Sequence, residues 1–492
     1  MASSRKRWAL AALALTTLTV GLDGTVLSVA LPTLAADLGA TTSDLQWFTT
    51  VYLLVLAAAL LPAGMLGDRF GRKRLLLMAL GLFGAASVCC AYATSSGQLV
   101  LARAVLGLGA AVLMPLTSAV LTVLFEAGER ARALSVWVTA SALGIPLGPL
   151  VGGWLLDNFW WGSVFLINVP MVLLAGIAVA LLVPESHGDR TRRFDPVGVL
   201  LSAAGLVTLT YGIIDAGERG WTAARPLTLV AAGVALLVVF ATWQRRAAAP
   251  LVDLALFSSR GFTWGAILAM VPNIAMFGLL FSLPQLFQAV QGADALGTGL
   301  RLLPVIGGLM AGARVAGRIP NARRAVTAGL AVMAVALLAG AAADAHTGYG
   351  WIAAWITAAG FGMGLAMPPA MNAALGALSP ERSGVGSGLI QAMRQVGGAV
   401  GVAVLGAELN DGYRSALSGA PAAARESVSA GVAWAKGPAQ DAFAQGMTRS
   451  LLVAAGFAAA GAVLAAVALP RVPKTPELAE SQHDHIPAER VA

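Results

Sequence analysis

Charged residues are scarce in this sequence. They make up only 11% of its 492 residues, whereas 58% are hydrophobic, and the mean hydropathy is +0.78. Soluble domains carry roughly 25% charged residues, so a chain with this deficit cannot expose enough polar surface to water. The composition therefore excludes a water-soluble enzyme.

The residue types that build catalytic sites are also few. The chain holds four histidines and two cysteines, and no histidine falls in an apolar run. Cys89 and Cys90 are neighbours on one predicted helix, where their side chains point apart, which excludes a disulfide between them. No lysine stands in the GxxxxGK[ST] pattern of a nucleotide-binding loop. We therefore predict a protein that is not an enzyme, needs no cofactor and draws its energy from an ion gradient.

What the sequence has in abundance is apolar runs of about 20 residues, the length with which a helix crosses ~30 Å of hydrocarbon. Short polar connectors separate these runs, which predicts an all-α polytopic membrane protein with fourteen transmembrane helices. The predicted spans are 8–31, 47–66, 74–93, 98–124, 133–156, 163–183, 197–215, 226–243, 262–287, 299–317, 325–343, 350–376, 384–408 and 448–469.

The basic residues do not form one patch. The net charge of +8 arises from 32 Lys and Arg against 24 Asp and Glu, and the basic residues occupy alternate connectors. This distribution is the positive-inside pattern and not a nucleic-acid surface. With an even number of spans, it predicts a multi-pass protein of the cytoplasmic (inner) membrane, in contact with lipid, whose termini both lie in the cytoplasm.

Two polar segments stand apart from the spans. The longest connector, about 409–447, is rich in Ala, Ser and Gly and is predicted to be a mobile external loop. Residues 471–492 hold prolines and mixed charge, which predicts a disordered cytoplasmic tail. His483, Asp484 and His485 in this tail would hold a metal only weakly, so we predict no metal site.

Asp23 is the one acid that lies well inside a predicted span. A carboxylate in a low-dielectric site can take up and release a proton as the hydration of the site changes, and ionisable residues within membranes are functional by default. Gly21 and Gly24 flank Asp23 and leave room for water or a partner. A permanent structural hydrogen-bond network is the alternative. We predict that Asp23 couples protons to transport.

Arg103 is the buried cation of the fourth span. It lies too far from either end of the span to reach water easily, so it needs a partner inside the protein. Its positive charge would favour deprotonation of a nearby acid. Arg103 is therefore the second candidate for proton coupling.

Glycines follow one face of the fifth span. Gly144, Gly148 and Gly152 recur every four residues and let a partner backbone approach closely. Pro146 and Pro149 remove hydrogen-bond donors and bend the helix. Packing alone would explain this pattern.

The connector after the second span reads GMLGDRFGRKR, from Gly64 to Arg74. Its glycines allow a tight turn, Asp68 can meet a helix N-terminus, and its basic cluster can contact anionic headgroups. This run closely resembles the signature of the major facilitator superfamily. The resemblance implies a cytoplasmic latch that holds one access state, and the matching residues are Gly64, Gly67, Asp68, Arg69, Gly71 and Arg72.

Further runs narrow this resemblance to the fourteen-span drug:proton antiporter branch of the superfamily, of the multidrug or antibiotic efflux type. They are LDGTVLSVALP, RAVLGLGAA, GIPLGPLVGG, FLINVP, FDPVG, GTGLRLLP and RQVGGAVGVAVLG, in this order from Leu22 to Gly406. The resemblance implies that Arg103 takes part in coupling. It also implies an antiporter motif that seals two bundles together, formed by Gly144, Pro146, Gly148, Pro149, Gly152 and Gly153.

The same resemblance implies the major facilitator fold, with two six-helix bundles and two extra central helices. The expected limits are 1–185 for spans one to six, 186–260 for the two inserted linker helices, 261–470 for spans nine to fourteen, and 471–492 for the tail.

Aromatic, methionine and polar residues of the second half are candidates to line an adaptable substrate cavity. With few acids in the spans, neutral or weakly charged amphiphiles fit at least as well as strong cations. The candidates are Trp264, Asn273, Met276, Phe277, Phe281, Phe361, Met367, Asn372, Gln391 and Arg394.

These features predict a secondary active transporter that exports lipophilic drugs or antibiotics in exchange for protons, by alternating access and as a monomer. Three alternatives remain at this stage: an exporter of one natural product or metabolite, a facilitator-type importer and a transport-dead sensor. The motif of the fifth span counts against import, and the short inner connectors count against a sensor.

Overall fold

The computed structural model describes residues 3–188, 195–378 and 380–470, and nearly all of them are helical. The N-terminal helices are α1 (Ser3–Asp37), α2 (Thr42–Phe70), α3 (Arg72–Ala91), α4 (Ser96–Leu124), α5 (Ala127–Asn158), α6 (Ser163–Leu166) and α7 (Asn168–Leu182). The predicted tail, with His483, Asp484 and His485, lies outside the described residues.

A hairpin of α8 (Pro196–Arg219) and α9 (Ala224–Arg246) follows, and a 3₁₀ turn at Leu254–Ser258 leads into the second half. The remaining helices are α10 (Arg260–Gln285), continued by a π turn at Leu286–Val290, and α11 (Ala295–Ala316), α12 (Ala322–Ala341), α13 (Tyr349–Leu375), α14 (Pro380–Ala416), α15 (Ala422–Glu426), α16 (Val428–Trp434) and α17 (Lys436–Ala468).

Fourteen segments of the described chain are long and apolar enough to cross a membrane. Helices α6 and α7 together form the sixth of them, and α10 with its π turn forms the ninth. The prediction of an all-α membrane protein with fourteen transmembrane helices is confirmed. Successive spans run in opposite directions, so their connectors gather at two ends. We call these the Asp68 end, where α2 ends, and the Asp157 end, where α5 ends.

The apolar core is divided into two large clusters. One is built almost wholly from residues 9–183, with three side chains from beyond that range. The other is built from residues 251–469 and Val29. We call the corresponding parts of the chain the N half and the C half. The exact domain limits expected from the sequence stay a prediction.

The hairpin of α8 and α9 packs across a boundary between the two halves. Trp47 of α2 contacts Tyr211 of α8, with ring centroids 5.9 Å apart. On α14, the Cα of Ala407 lies 2.7 Å from the position that a Cβ atom of Gly217 would take. Because Gly217 has no side chain, α8 can approach α14 this closely. Helix α8 therefore touches both halves.

The connector predicted at 409–447 is much shorter in the structure, so the prediction of a long loop is wrong. Helix α14 continues to Ala416 and α17 already begins at Lys436. The extensions are helical because they bury one face: Tyr413 and Phe443 are fully buried, and the Tyr413 hydroxyl donates to the carbonyl of Ala424 at 2.9 Å. Hydropathy underestimates such amphipathic helix ends because it counts their polar face against them.

Asp195 fixes the start of the inserted hairpin. Its buried carboxylate accepts hydrogen bonds from the backbone of Gly198 (2.8 Å), the indole of Trp243 (3.0 Å) and the amide of Gln244 (2.8 Å). Burial alone would raise the pKa of Asp195, but these donors stabilise the charged form and hold the pKa below its ordinary value of 3.8. The carboxylate thereby ties α8 to α9.

We expect Asp195→Asn to lower the free energy of unfolding by ~1–3 kcal/mol, because an amide cannot accept from all three donors. A carboxylate whose pKa is depressed stabilises the fold above its ordinary pKa, and this contribution is lost as the pH falls below 3.8. In thermal unfolding of the purified protein in detergent, the gap between wild type and variant should be full at neutral pH and close in acid. The exposed Asp441→Asn is the control, and a gap that does not change with pH would contradict the assignment.

Candidate functional site

A buried ion pair lies inside the N half. The side chains of Asp23 on α1 and Arg103 on α4 are 0% and 1% exposed, and Arg103 Nη1 lies 3.0 Å from Asp23 Oδ2. Sequence reasoning selected these residues separately as an isolated acid and an isolated base. The structure brings them into contact, as two charges in a low-dielectric interior require. Their part in proton coupling stays a prediction.

Arg103 is held by more than Asp23. Its Nε donates to the backbone carbonyl of Phe48 at 3.1 Å. Its guanidinium carbon lies 4.4 Å from the ring centroid of Tyr52 and 5.9 Å from that of Phe165. The carbonyl and the two aromatic faces supply negative potential around the cation. Arg103 can therefore stay in place if Asp23 becomes neutral.

The second oxygen of Asp23 contacts Asn168, which sequence reasoning missed, and Asn168 in turn contacts Ser87. Asn168, at the start of α7, donates from Nδ2 to Asp23 Oδ1 at 2.8 Å and to the hydroxyl of Ser87 at 3.2 Å. The side chain of Asn168 is fully buried. An amide inside the apolar FLINVP run was the available signal, since a buried polar group needs a partner. Both oxygens of Asp23 are thus occupied.

The glycines of the fifth span face α1. A Cβ atom at Gly144 would lie 2.6 Å from the backbone nitrogen of Leu22, and one at Gly152 would lie 2.7 Å from Val26. At Gly148 a Cβ atom would overlap the hydroxyl of Thr25, and this hydroxyl donates to the carbonyl of Gly144 at 3.1 Å. The predicted small-residue face of α5 therefore lets α5 pack closely against α1, the helix that carries Asp23.

The remaining part of this motif contacts the C half. A Cβ atom at Gly153 would lie 2.7 Å from the Cα of Leu296 at the start of α11. The carboxylate of Asp157 accepts from the backbone nitrogens of Ala295 (3.2 Å) and Leu296 (3.0 Å). Asp157 thus interacts with the positive N-terminus of α11. Pro149 lies further along the same contact, against Gly299, and Pro146 lies within α5.

Hydrogen bonds between the halves lie at the Asp157 end of the described chain. Gln288 donates to the carbonyl of Val29 at 2.8 Å, and Gln46 donates to that of Val402 at 3.4 Å. With the contact of α5 and α11, these bonds close the boundary at this end. Towards the Asp68 end α5 is largely exposed, as at Val136 (41%) and Val138 (55%). The hydrogen bonds between the halves within the described residues are therefore gathered at the Asp157 end.

The predicted latch residues form contacts within the N half. Arg72 donates to Asp68 Oδ1 from Nε (2.9 Å) and Nη2 (2.7 Å). Gly71 joins α2 to α3 with φ +107°, a conformation that favours glycine. Gly64 packs near Pro115 of α4, and Arg69 extends over the ring of Phe70. Whether this arrangement holds one access state stays a prediction.

Glu185 completes the turn and was missed by sequence reasoning. Its carboxylate accepts from the backbone nitrogens of Lys73 (3.0 Å) and Arg74 (3.1 Å). The first turn of α3 contains no acid of its own, so Glu185 satisfies donors that would otherwise be free. A helix that starts with three basic residues was the available signal.

The substrate candidates do not share one lining. Phe277 and Phe281 border a small cavity next to Arg103, and Met276 borders a second one at the contact of α5 and α11. Other candidates pack within the C half: Asn273 donates to Ala269 and Met367, Phe361 packs against α11, and Trp264 packs against the C-half core. Arg394 donates to Gln391 at 3.0 Å, and Asn372 is exposed.

The chain matches known proteins along most of its length. Residues 13–402 match the family description Major Facilitator Superfamily. The chain is 33% identical over 487 residues to the multidrug efflux pump LfrA of Mycolicibacterium smegmatis. This match covers 94% of this chain and 96% of that protein. It is 32% identical over 403 residues to the tetracenomycin C resistance and export protein of Streptomyces glaucescens, a match that covers 81% of this chain and 74% of that protein.

The fold is similar to that of a solved structure. A crystal structure of a bacterial homologue of the human lysosomal transporter Spinster, in an inward-facing and unoccupied conformation, superposes with a TM-score of 0.66. The two share 17% sequence identity, and the match covers 95% of this chain and 98% of that chain. This likeness concerns the fold alone. On the family match and the identity to curated relatives, the chain belongs to the major facilitator superfamily and to its multidrug efflux type.

Proposed function

We propose that this transporter exports small lipophilic compounds across the cytoplasmic membrane in exchange for protons. The observation that carries the proposal is the ion pair of Asp23 and Arg103, buried between two spans. A buried carboxylate that must change its charge needs a partner that tolerates both states. Arg103 has this property because Phe48, Tyr52 and Phe165 also hold it.

Protonation of Asp23 would cancel the negative charge that faces Arg103. The ion pair would weaken to an ordinary hydrogen bond, and α1 and α4 would no longer be held by two opposite charges. Because α1 also packs against α5 through Gly144, Gly148 and Gly152, a change at Asp23 reaches the helix that contacts α11. Asp23 and the boundary between the halves are thus mechanically linked.

The closed Asp157 end suits an alternating-access cycle. A compound would enter between the halves from the Asp68 end, which the charge pattern assigns to the cytoplasm, and leave after the Asp157 end has opened. Protonation of Asp23 would then reset the transporter. The names of the relatives, which refer to multidrug efflux and to tetracenomycin C export, support export of drug-like compounds. The transporter is proposed to act as a monomer in lipid, with both termini in the cytoplasm and with the proton gradient in place of a cofactor.

The test uses inverted membrane vesicles that are energised to an acid interior and contain a pH-sensitive dye. Addition of a transported compound should make the interior more alkaline, because each exchange moves protons out of the vesicle. A panel of antibiotics, lipophilic cations and neutral dyes also reveals how broad the substrate range is. Vesicles without the protein, and vesicles treated with a proton ionophore, are the controls.

A response to several compounds supports a multidrug exporter, and a response to one supports a narrow exporter. Accumulation of compounds in the vesicles without proton movement would contradict proton antiport. Silence across the panel, from protein that is correctly inserted, would contradict the proposed drug export.

A further inference from the structure

A small cavity borders Arg103, the basic partner of the ion pair, on the side that faces the C half. It encloses about 10 Å³, roughly the space that one water molecule needs. Its walls on the N half include Gly24 and Ser28 of α1, Thr49 and Tyr52 of α2, and Arg103. Hydroxyl groups and a guanidinium thus form the polar part of the lining, beside the apolar Leu27 and Leu53.

The hydroxyl of Tyr52 has no hydrogen-bond partner within the described part of the chain. The residue is only 2% exposed, and its ring is held against the guanidinium of Arg103. A buried hydroxyl without a partner is costly, and ordered water is the usual remedy when a polar cavity lies beside it. Because Tyr52 also lines the cavity, a water molecule bound there would give this hydroxyl a partner.

Gly24 shows that the space continues to the residue next to Asp23. No atom outside the neighbouring stretch of its own helix lies within 4 Å of the position that a Cβ atom of Gly24 would take, whereas a Cβ atom at Gly21 would lie 2.8 Å from the carbonyl oxygen of Ser141. Gly21 therefore has to be small for packing, but Gly24 does not. The absence of a side chain at Gly24 leaves the cavity open.

The roof of the cavity comes from the C half. Phe277, Leu280 and Phe281 of α10 complete its lining. Phe281 is 1% exposed and belongs to the core of the N half, although its helix belongs to the C half. Any separation of the halves at this point withdraws the roof and lets water reach Arg103.

We propose that this cavity is a water site through which protons reach Asp23, with Tyr52 as its anchor and Phe281 as the gate that closes it. The inference rests on the proposed proton coupling and names the route by which the proton arrives. Once Phe281 is withdrawn, a proton from water between the halves passes to the bound water, which gives one of its own protons to a carboxylate oxygen of Asp23. One proton moves and the bound water is restored.

The water site is tested without transport by an experimental map that resolves ordered water. Density is expected about 2.8 Å from the Tyr52 hydroxyl oxygen in the wild type, and none is expected in Gly24→Ala, whose methyl group would take the space. Alanine is also a better helix former than glycine, so this variant should fold. A well-resolved cavity without density in the wild type would overturn the proposal.

The route is tested by substrate-driven proton movement in proteoliposomes. Gly24→Ala and Tyr52→Phe should each reduce it at least about tenfold, because both remove the bound proton carrier and leave Asp23 in place. Substrate binding should be unchanged in both. Gly81→Ala, at another glycine with open space around it, is the matched control. Wild-type proton movement in both variants would overturn the proposal.

The gate is tested by passive proton flow without substrate, driven by a potassium diffusion potential. Phe281→Ala should leak protons several-fold faster than wild type, and Asp23→Asn in the same chain should stop the leak. Phe457→Ala, on a partly exposed phenylalanine of α17, is the control. If Phe281→Ala leaked protons no faster than wild type, or if its leak persisted after Asp23→Asn, the assignment of Phe281 as the gate would be wrong.

These outcomes differ from a failure of the proposed function. If Asp23→Asn alone retained proton-coupled efflux, proton coupling at Asp23 would be wrong whatever the map showed. If Asp23→Asn abolished coupling while Gly24→Ala and Tyr52→Phe did not, the proposed function would stand and the water route would be wrong.

Discussion

Replacement of Asp23 by asparagine is expected to abolish proton-driven efflux and to preserve substrate exchange. Asparagine cannot take up or release a proton in this pH range, so the exporter loses the step that draws on the gradient. The site should tolerate the change. The carbonyl oxygen of Asn168 is buried without a partner among the described residues, so a flip of its amide would let it accept from the new side chain.

The measurement compares two activities of the same preparation. Efflux against a gradient, driven by a pH difference, should fall to the level of empty vesicles in Asp23→Asn. Counterflow, in which labelled substrate exchanges for unlabelled substrate without net proton movement, should remain within a few-fold of wild type. Asp23→Glu, which keeps a carboxylate, should retain part of the efflux. Proton-driven efflux at the wild-type rate in Asp23→Asn would refute the assignment.

Replacement of Arg103 by glutamine is expected to have the largest effect on stability. It leaves the Asp23 carboxylate buried and opposed by no charge, and loss of one partner of a buried pair typically costs ~3–5 kcal/mol. It also removes the donor to the carbonyl of Phe48 and the cation between Tyr52 and Phe165. Lysine is not a substitute, because its single ammonium nitrogen cannot reproduce donation from two separate guanidinium nitrogens, Nε to the carbonyl and Nη1 to the carboxylate.

A double-mutant cycle separates the charge from the packing. Thermal unfolding is measured for wild type, Arg103→Gln, Asp23→Asn and the double variant in one detergent. The double variant should be more stable than Arg103→Gln, because it no longer buries an unpaired charge. The exposed Arg382→Gln supplies the baseline for loss of an arginine. If the two substitutions were simply additive, the two side chains would not be coupled as the structure indicates.

The pairing of Asp23 with Arg103 could be predicted in part because charges are so rare in these spans. An isolated acid and an isolated base inside a membrane need partners, and each is the other's obvious choice. The small-residue face of α5 was equally visible, since its spacing of four residues is independent of the neighbouring helices. The contact of the motif with α11 was not visible in the sequence. Gly153, which makes this contact, lies off that face, and only the packing of the helices decides which neighbour it contacts.

Other parts of the site depend on how the helices are rotated against each other. Most spans are apolar on all sides, so their sequence does not show which face is turned inward. This is why Asn168 and Tyr52 escaped notice and why the sequence could not assign the substrate candidates to one face. Glu185 escaped because its partners are backbone groups more than a hundred residues away in sequence. The extended ends of α14 and α17 escaped because hydropathy does not register a helix that continues beyond the hydrocarbon.

The inserted hairpin makes the two boundaries between the halves unequal. Where α2 meets α14, α8 lies against both through Tyr211 and Gly217. Where α5 meets α11, apolar side chains such as Leu143 and Met310 remain exposed. A compound dissolved in the bilayer therefore meets a boundary shielded by α8 on one side of the protein. The two boundaries therefore present different surfaces to the lipid.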